Sequence, residues 1–167
     1  MKRRLVLIRH AKSSWTNPLQ SDFDRPLNDR GNHDAPVMGK RLKDKGIIPD
    51  LILASTAKRA AQTAKKIASA IGYPEEKITW LDKLYHCNSS VFDEVIDLID
   101  DKVNTVFIVA HNPGITEYAS ALSPSFRIDQ MPTCGVACVE MDIRHWYEFH
   151  NAKRQVILFD YPKKENG

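Results

Sequence analysis

Long apolar runs are missing from this 167-residue chain. None approaches the roughly 20 residues that a membrane-crossing helix needs, which excludes an integral membrane protein of that kind. The basic Lys2-Arg3-Arg4 cluster before LVLI (residues 5–8) imitates a secretory leader, but four apolar residues are about half the minimum for such a leader's hydrophobic segment, and they run straight into Arg9-His10. Cysteine is scarce and odd in number: Cys87, Cys134 and Cys138 show no CxxC spacing, so the expectation is free thiols in a reducing, cytoplasmic compartment. Charge of one sign is scarce too. The net charge is only +3, and the basic clusters, Lys2-Arg3-Arg4 and Lys163-Lys164, stand at the ends without interleaved aromatics. They read as solvated surface, which excludes a nucleic-acid face. Internal repeats, low-complexity tracts and inter-domain linkers are absent as well.

What remains is ordinary globular composition, 43% hydrophobic and 27% charged, and the expectation is one domain over residues 1–167. A chain of this size hides roughly 70% of its unfolded surface, enough to enclose a cleft without disulfides or structural metal. Apolar strands are expected at 5–8, at LILA (51–54), near 78–81, at TVFIVA (105–110), at GVACVEM (135–141) and at QVILF (155–159). Helical spacing predicts helices near 32–45, 57–71 and 90–99, and one starting near Pro113. Unbroken apolar strands alternating with helices predict an α/β fold, a three-layer α/β/α sandwich with a mostly parallel central sheet.

Ligands of such sheets gather at the carboxyl ends of the strands. Three of those ends carry polar chemistry: Arg9 and His10 after the first strand, STAKRAAQT (55–63) after LILA, and His111-Asn112 after TVFIVA. Ser55 reads as a helix N-cap. That puts Lys58 and Arg59 in the first helical turn, where the helix dipole disfavours cations by about 0.3–1 kcal/mol. A bound anion removes the conflict, since helix N-termini bind phosphate and arginine adds a bidentate contact. Arginines beside an imidazole also disfavour its protonated form and leave a neutral nucleophile. The combination suits phosphoryl transfer through a phosphohistidine, with His10 or His111 attacking.

Rival readings are weaker on chemical grounds. Cys138 and Arg144 have the C-x5-R spacing of cysteine phosphatases, yet the residues between them read as a strand bearing Glu140 and Asp142, which would repel a dianion. His86-Cys87 has Asp93 where arginine would be required. His10 and His111 lack acidic neighbours in ligand spacing, so no metal and no other cofactor is expected. His33, His86, His145 and His150 read as surface or loop residues. Asp22, Asp24 and Asp29 read as turn and capping groups. A non-catalytic phosphate- or phosphoprotein-binding module accounts for the same anion site, but has no use for the nucleophile.

Taken in order, LIRHAKSSW, DRPLNDRG, STAKRAAQTA and VAHNPG resemble the motifs of the histidine phosphatase superfamily, the phosphoglycerate-mutase-like proteins, and most of all its SixA-type phosphohistidine phosphatase branch. The resemblance implies that His10 is the nucleophile and that Arg9, Arg59 and His111 surround the phosphoryl group. It also implies a polar contact from the loop after the nucleophile, where Ser13, Thr16 and Asn17 stand, with Ser55 as a further substrate contact. Ala11 replaces the family's usual glycine, and Asp82 stands nearest the position of its glutamate general acid. An alcohol leaving group gains about 10²–10⁴-fold from a positioned proton donor. The nitrogen of a phosphoramidate protonates readily and tolerates a shorter acid. About twenty residues separate Asp82 from Thr105, too few for a large cap over the site. The expected substrate is therefore phosphohistidine in a protein; the alternative is a small sugar- or nucleotide-type phosphate ester.

Overall fold

Side-chain alternation along the strands decides how the layers stack. The computed structural model describes residues 1–164. Its six strands are β1 (Lys2–Arg9), β2 (Leu51–Ala54), β3 (Thr79–Trp80), β4 (Thr105–Ala110), β5 (Val136–Asp142) and β6 (Arg154–Asp160), in spatial order β3-β2-β4-β1-β5-β6. Pairs β3/β2, β2/β4 and β4/β1 are parallel, while β5 runs antiparallel to both β1 and β6, so the sheet is mixed and mostly parallel.

Neighbours on a strand point to opposite faces. Val6, Ile8, Ile52, Ala54, Phe107 and Val109 therefore meet Ala35, Met38 and Leu42 of α1 (Asp29–Asp44) and Ala60, Ala64 and Ile67 of α2 (Lys58–Ile71). Leu5, Leu7, Leu53, Val106 and Ile108 face the other way. They meet Phe92, Val95 and Ile96 of α3 (Ser89–Asp97), Ile115 and Ala119 of α4 (Gly114–Ser120), and Trp146 and Phe149 of a 3-10 helix, Trp146–Asn151. Both faces of the sheet are thus buried, which is why the central strands read as continuous apolar runs rather than alternating ones. Each large side chain so buried contributes about 1.5–3 kcal/mol.

Element ends differ from the sequence expectations for local reasons. The first helix begins at Asp29, because Asn28 supplies an N-cap whose side chain accepts from Gly31 N–H at 2.9 Å. The third starts after Asn88, which caps it in the same way. The second starts at Lys58 with Ala57 at the cap position and no side-chain cap, so Ser55 is not the N-cap; it lies at the end of β2, and its hydroxyl accepts from Ala57 N–H at 3.2 Å. The third strand shrinks to two residues. The N-terminal basic cluster is only partly solvated. Arg3 shares the face of Leu5 and Leu7 and is 2% exposed, stacked on Trp146 with its guanidinium donating to the carbonyls of Val103, Ile143 and Arg144.

Register brings the polar strand ends together. His10 N–H donates to Ala110 O and Ser55 N–H to Val109 O, at 3.1 and 3.0 Å, so the ends of β1, β4 and β2 lie side by side. Two glycines permit the close approaches that frame this edge: a Cβ on Gly31 would stand 2.2 Å from Lys12 O, and one on Gly114 would stand 2.1 Å from Cys87 O. No helix among the described residues is long and apolar enough to cross a membrane.

Candidate active site

Strand β1 ends at Arg9, and the chain turns at His10. His10 is 6% exposed, and its Nδ1 lies 2.7 Å from Ala11 O. A carbonyl only accepts, so Nδ1 carries the ring proton and Nε2 presents a lone pair. That lone pair faces Arg59, whose Nε donates to it at 3.4 Å. Burial, above all, lowers the His10 pKa to about 3; Ala11 O opposes this, and the charges of Arg59, Arg9 and Arg25 add to it. The arginines expected to keep the ring neutral do so, but desolvation is the larger cause.

His111, at the end of β4, is 5% exposed, its ring centroid 5.1 Å from that of His10. Its Nε2 meets Ser55 Oγ at 2.8 Å. Burial, then His10, Arg59 and His86, lower its pKa to about 2 against the pull of Asp22. The Nδ1 of His111 and the Nε of Arg9 are buried with no hydrogen-bond partner, while Arg9 Nη1 donates to Met131 O at 2.8 Å. Buried polar groups are rarely left orphaned. Both residues line the same cavity of about 290 Å³ with His10, Ser13, Arg25 and Arg59. Three arginines whose charges act on one imidazole, with unpaired buried nitrogens on two of the residues that line the same small cavity, make a site for a tetrahedral anion.

The segment joining β1 to α1 completes the wall. Asn28 N–H donates to Lys12 O at 3.0 Å, and Ser13 pairs with Leu27, so the segment folds back on its own start and returns Arg25 to Ser13. Arg25 is 8% exposed, donates to Ser13 Oγ, and lies 3.6 Å above the Trp15 ring. Asp22 then ties the arginines together. Its Oδ1 accepts from Arg25 Nε and Nη2, its Oδ2 from Arg59 Nη2 and Tyr85 Oη, and its carbonyl from Arg59 Nη1. Partial burial pushes its pKa up, yet the hydrogen bonds from Tyr85 and Arg25 and the charge of Arg59 outweigh that and hold the carboxyl well below the usual range. The expectation that Asp22 merely serves a turn is corrected: its side chain reaches the site.

Sequence reasoning thus placed Arg9, His10, Ser13, Arg59 and His111 together, and the structure brings them to one cavity. It does not bring the others. Ser55 is fully buried behind His111, an orienting partner rather than part of the cavity wall. Thr16 and Asn17 are exposed and bond locally, to Ser14 and to Leu19 N–H. Asp82 is exposed, and its Oδ1 accepts from Thr56 Oγ1 at 2.5 Å.

Arg25, Asp22, Tyr85 and Thr63 were missed. Arg25 and Thr63 lay inside the quoted motifs; Thr63 Oγ1 accepts from Ala11 N–H at 2.9 Å and donates to Arg59 O at 2.7 Å, locking the nucleophile turn to α2. The rival cysteine reading fails structurally, because Cys138 is buried within β5 and burial pushes its thiol up to about 12. Among the described residues no group of three or more His, Cys, Asp or Glu is placed to hold a metal ion.

Comparison with known proteins agrees with this geometry. The profile of the histidine phosphatase superfamily (branch 1) matches residues 5–88. An uncharacterised chloroplastic protein of Arabidopsis thaliana is 30% identical over 156 residues, covering 89% of this chain and 71% of its own. A 2,3-bisphosphoglycerate-dependent phosphoglycerate mutase of Bifidobacterium longum is 39% identical, but over only 66 residues, 38% of this chain and 27% of its own. A crystal structure from Agrobacterium tumefaciens, provisionally named phosphohistidine phosphatase SixA, superposes with a TM-score of 0.79 at 30% identity, covering 96% of this chain and 98% of its own. The His10 strand end, the Arg59 helix and the phosphoglycerate-mutase-like sheet are therefore inherited together: this chain belongs to the histidine phosphatase superfamily and is SixA-like within it.

Proposed function

We propose that this phosphatase hydrolyses phosphohistidine in a protein by way of a covalent phospho-His10 intermediate, without a metal. The observation that carries the reading is the tautomer of His10: Nδ1–H held by Ala11 O, and an unprotonated Nε2 directed at Arg59. Nε2 attacks phosphorus, the bond from phosphorus to the substrate's imidazole nitrogen breaks, and that nitrogen takes a proton from water. A second water then attacks phospho-His10, the P–Nε2 bond breaks, and orthophosphate leaves with free His10. Arg9, Arg25 and Arg59 neutralise the phosphoryl oxygens in both steps. Such a preorganised donor is worth about 10²–10³ in rate. These guanidiniums supply the positive charge that a divalent ion would otherwise supply.

The preference for phosphohistidine over an ester rests on Asp82, which is engaged with Thr56 and does not line the cavity. An alkoxide leaving group would lack its acid there, whereas an imidazole does not need one. The name of the Agrobacterium relative points the same way. Three free, buried cysteines support a reducing, cytoplasmic setting.

The test is an acid quench during turnover of a labelled phosphoramidate, run with chelator. Acid-labile, base-stable label on the native enzyme, lost in His10→Ala, is the expected result. Full activity of His10→Ala, or activity abolished by chelator, would overturn the mechanism. A strong preference for sugar or nucleotide esters over a phosphohistidine protein would favour the small-ester reading. Binding without turnover would make the chain a phosphate-binding module.

A further inference from the structure

A second, larger cavity of about 750 Å³ adjoins the one at His10, and Arg9, Lys12 and Thr133 line both. The mechanism uses only the smaller cavity. Three separate segments deliver cations to the larger one: Lys12 from the turn after β1, Arg30 from the first turn of α1, and Lys163 from the segment after β6. One carboxylate lines it, Asp34, and that is already paired with Arg30 Nε at 3.2 Å. The Arg30 side chain is nevertheless half exposed, and Nε is the atom that pair uses, so the Nη edge of its guanidinium remains for a ligand. The groove therefore carries net positive charge and opens from the place where the phosphoryl group would sit.

We propose that this groove docks an acidic stretch of the polypeptide that bears the phosphohistidine, so that carboxylates beside the phosphorylated residue meet Arg30 and Lys163 while the phosphoryl group reaches His10. The proposal rests on the protein-phosphohistidine reading above. Size separates the occupants: the larger cavity, about 750 Å³, exceeds twice the volume of the smaller, whose 290 Å³ is room enough for a phosphoryl group alone. A sugar monophosphate would leave the groove to water. Its walls mix cations with Pro132, Tyr161 and Pro162, and a peptide uses both, through its acidic side chains and its apolar stems. Attraction between exposed charges acts on encounter and affinity, so the effect belongs in KM and vanishes with salt.

The experiment compares phosphohistidine peptides whose flanking residues are glutamates with otherwise identical peptides carrying glutamines, together with phosphoramidate as the small donor. The native enzyme is expected to favour the acidic peptide about tenfold in kcat/KM, through KM, and to lose the preference at 0.5 M salt. Arg30→Glu/Lys163→Glu is expected to bring the two peptides to parity while phosphoramidate turnover stays unchanged; Lys163→Gln alone should weaken the preference partway. Equal kcat/KM for both peptides with native enzyme would overturn the docking proposal and leave the function standing. Failure to turn over either peptide, with rapid turnover of sugar phosphates, would overturn both. A small bisphosphate preferred over both peptides and sensitive to Arg30→Glu would assign the groove to a second phosphate instead.

Discussion

Asp22 and Arg59 are joined twice, Nη1 to the Asp22 carbonyl at 2.6 Å and Nη2 to its carboxylate at 3.0 Å, which leaves Arg59 Nε directed at His10 Nε2. Asp22 does not line the cavity, so it is a positioning residue that aims a guanidinium. In Asp22→Asn the charge-assisted bonds weaken. A hydrogen bond to a charged group is worth about 1.5–3 kcal/mol, so kcat is expected to fall about tenfold or more. Orthophosphate should bind more tightly to the variant, because a carboxylate no longer competes for Arg25 and Arg59. A merely structural role would not split the two effects in opposite directions. Tyr85→Phe removes one bond to Asp22 and leaves both arginine pairs, so it should stay within about threefold of native.

The neutral histidines make stability depend on pH. Burial chiefly lowers His10 to about 3 and His111 to about 2, while the unfolded chain titrates both near 6.5. Between those values the unfolded state binds more protons, so stability falls as pH falls below about 6.5 and recovers as pH rises. With two such groups the slope reaches about 2.7 kcal/mol per pH unit near pH 5. Urea unfolding between pH 6 and 4.5 is the measurement. His10→Asn should flatten the slope by about half of that amount. An unchanged slope would mean that the rings are protonated in the folded protein.

How much of this was legible in the sequence depended on distance along the chain. β1, β2 and β4 announced themselves because strands buried on both faces must be apolar throughout, and the polar residues at their ends then marked the site. The helix boundaries shifted where Asn28 and Asn88 capped earlier than the apolar spacing began. Asp22, Arg25 and Tyr85 could not be placed, because their meeting joins two loops 63 residues apart, and nothing in either loop encodes the other. Arg3 was misplaced for the opposite reason: charge was read before strand parity, although parity puts it beside Leu5 and Leu7.

Gly114 marks where the fold and the site depend on each other. A Cβ there would stand 2.1 Å from the Cys87 carbonyl, a backbone atom two residues beyond Tyr85. Gly114→Ala must push the loop carrying Cys87, which follows the 3-10 segment Asp82–Leu84, away from the start of α4. Overpacking of this kind costs about 1–3 kcal/mol. The urea midpoint should drop accordingly, and kcat with it, because the start of α4 is tied to the site through the His111 carbonyl, which accepts from Ile115 N–H at 3.0 Å. Gly72→Ala is the control: its φ of +90° with nothing within 4 Å predicts conformational strain alone, of about 1–2 kcal/mol. It should leave kcat intact.

Asp82 provides the sharpest separation between the two substrate classes. Its carboxylate accepts from Thr56 Oγ1 at 2.5 Å and is absent from the cavity wall. If it serves only that contact, Asp82→Asn should stay within about threefold of native on phosphohistidine and on phosphoramidate alike, since the departing nitrogen is protonated by solvent. On an alkyl phosphate, native enzyme should already be slow, because a missing proton donor costs about 10²–10⁴-fold with an alkoxide leaving group. An aryl phosphate, whose leaving group is stable without a proton, should be turned over faster than the alkyl ester by both proteins. A selective loss of alkyl phosphate activity in Asp82→Asn, from a native rate comparable to that on phosphohistidine, would instead make Asp82 the acid and require the segment Asp82–Leu84 to close on the substrate during turnover.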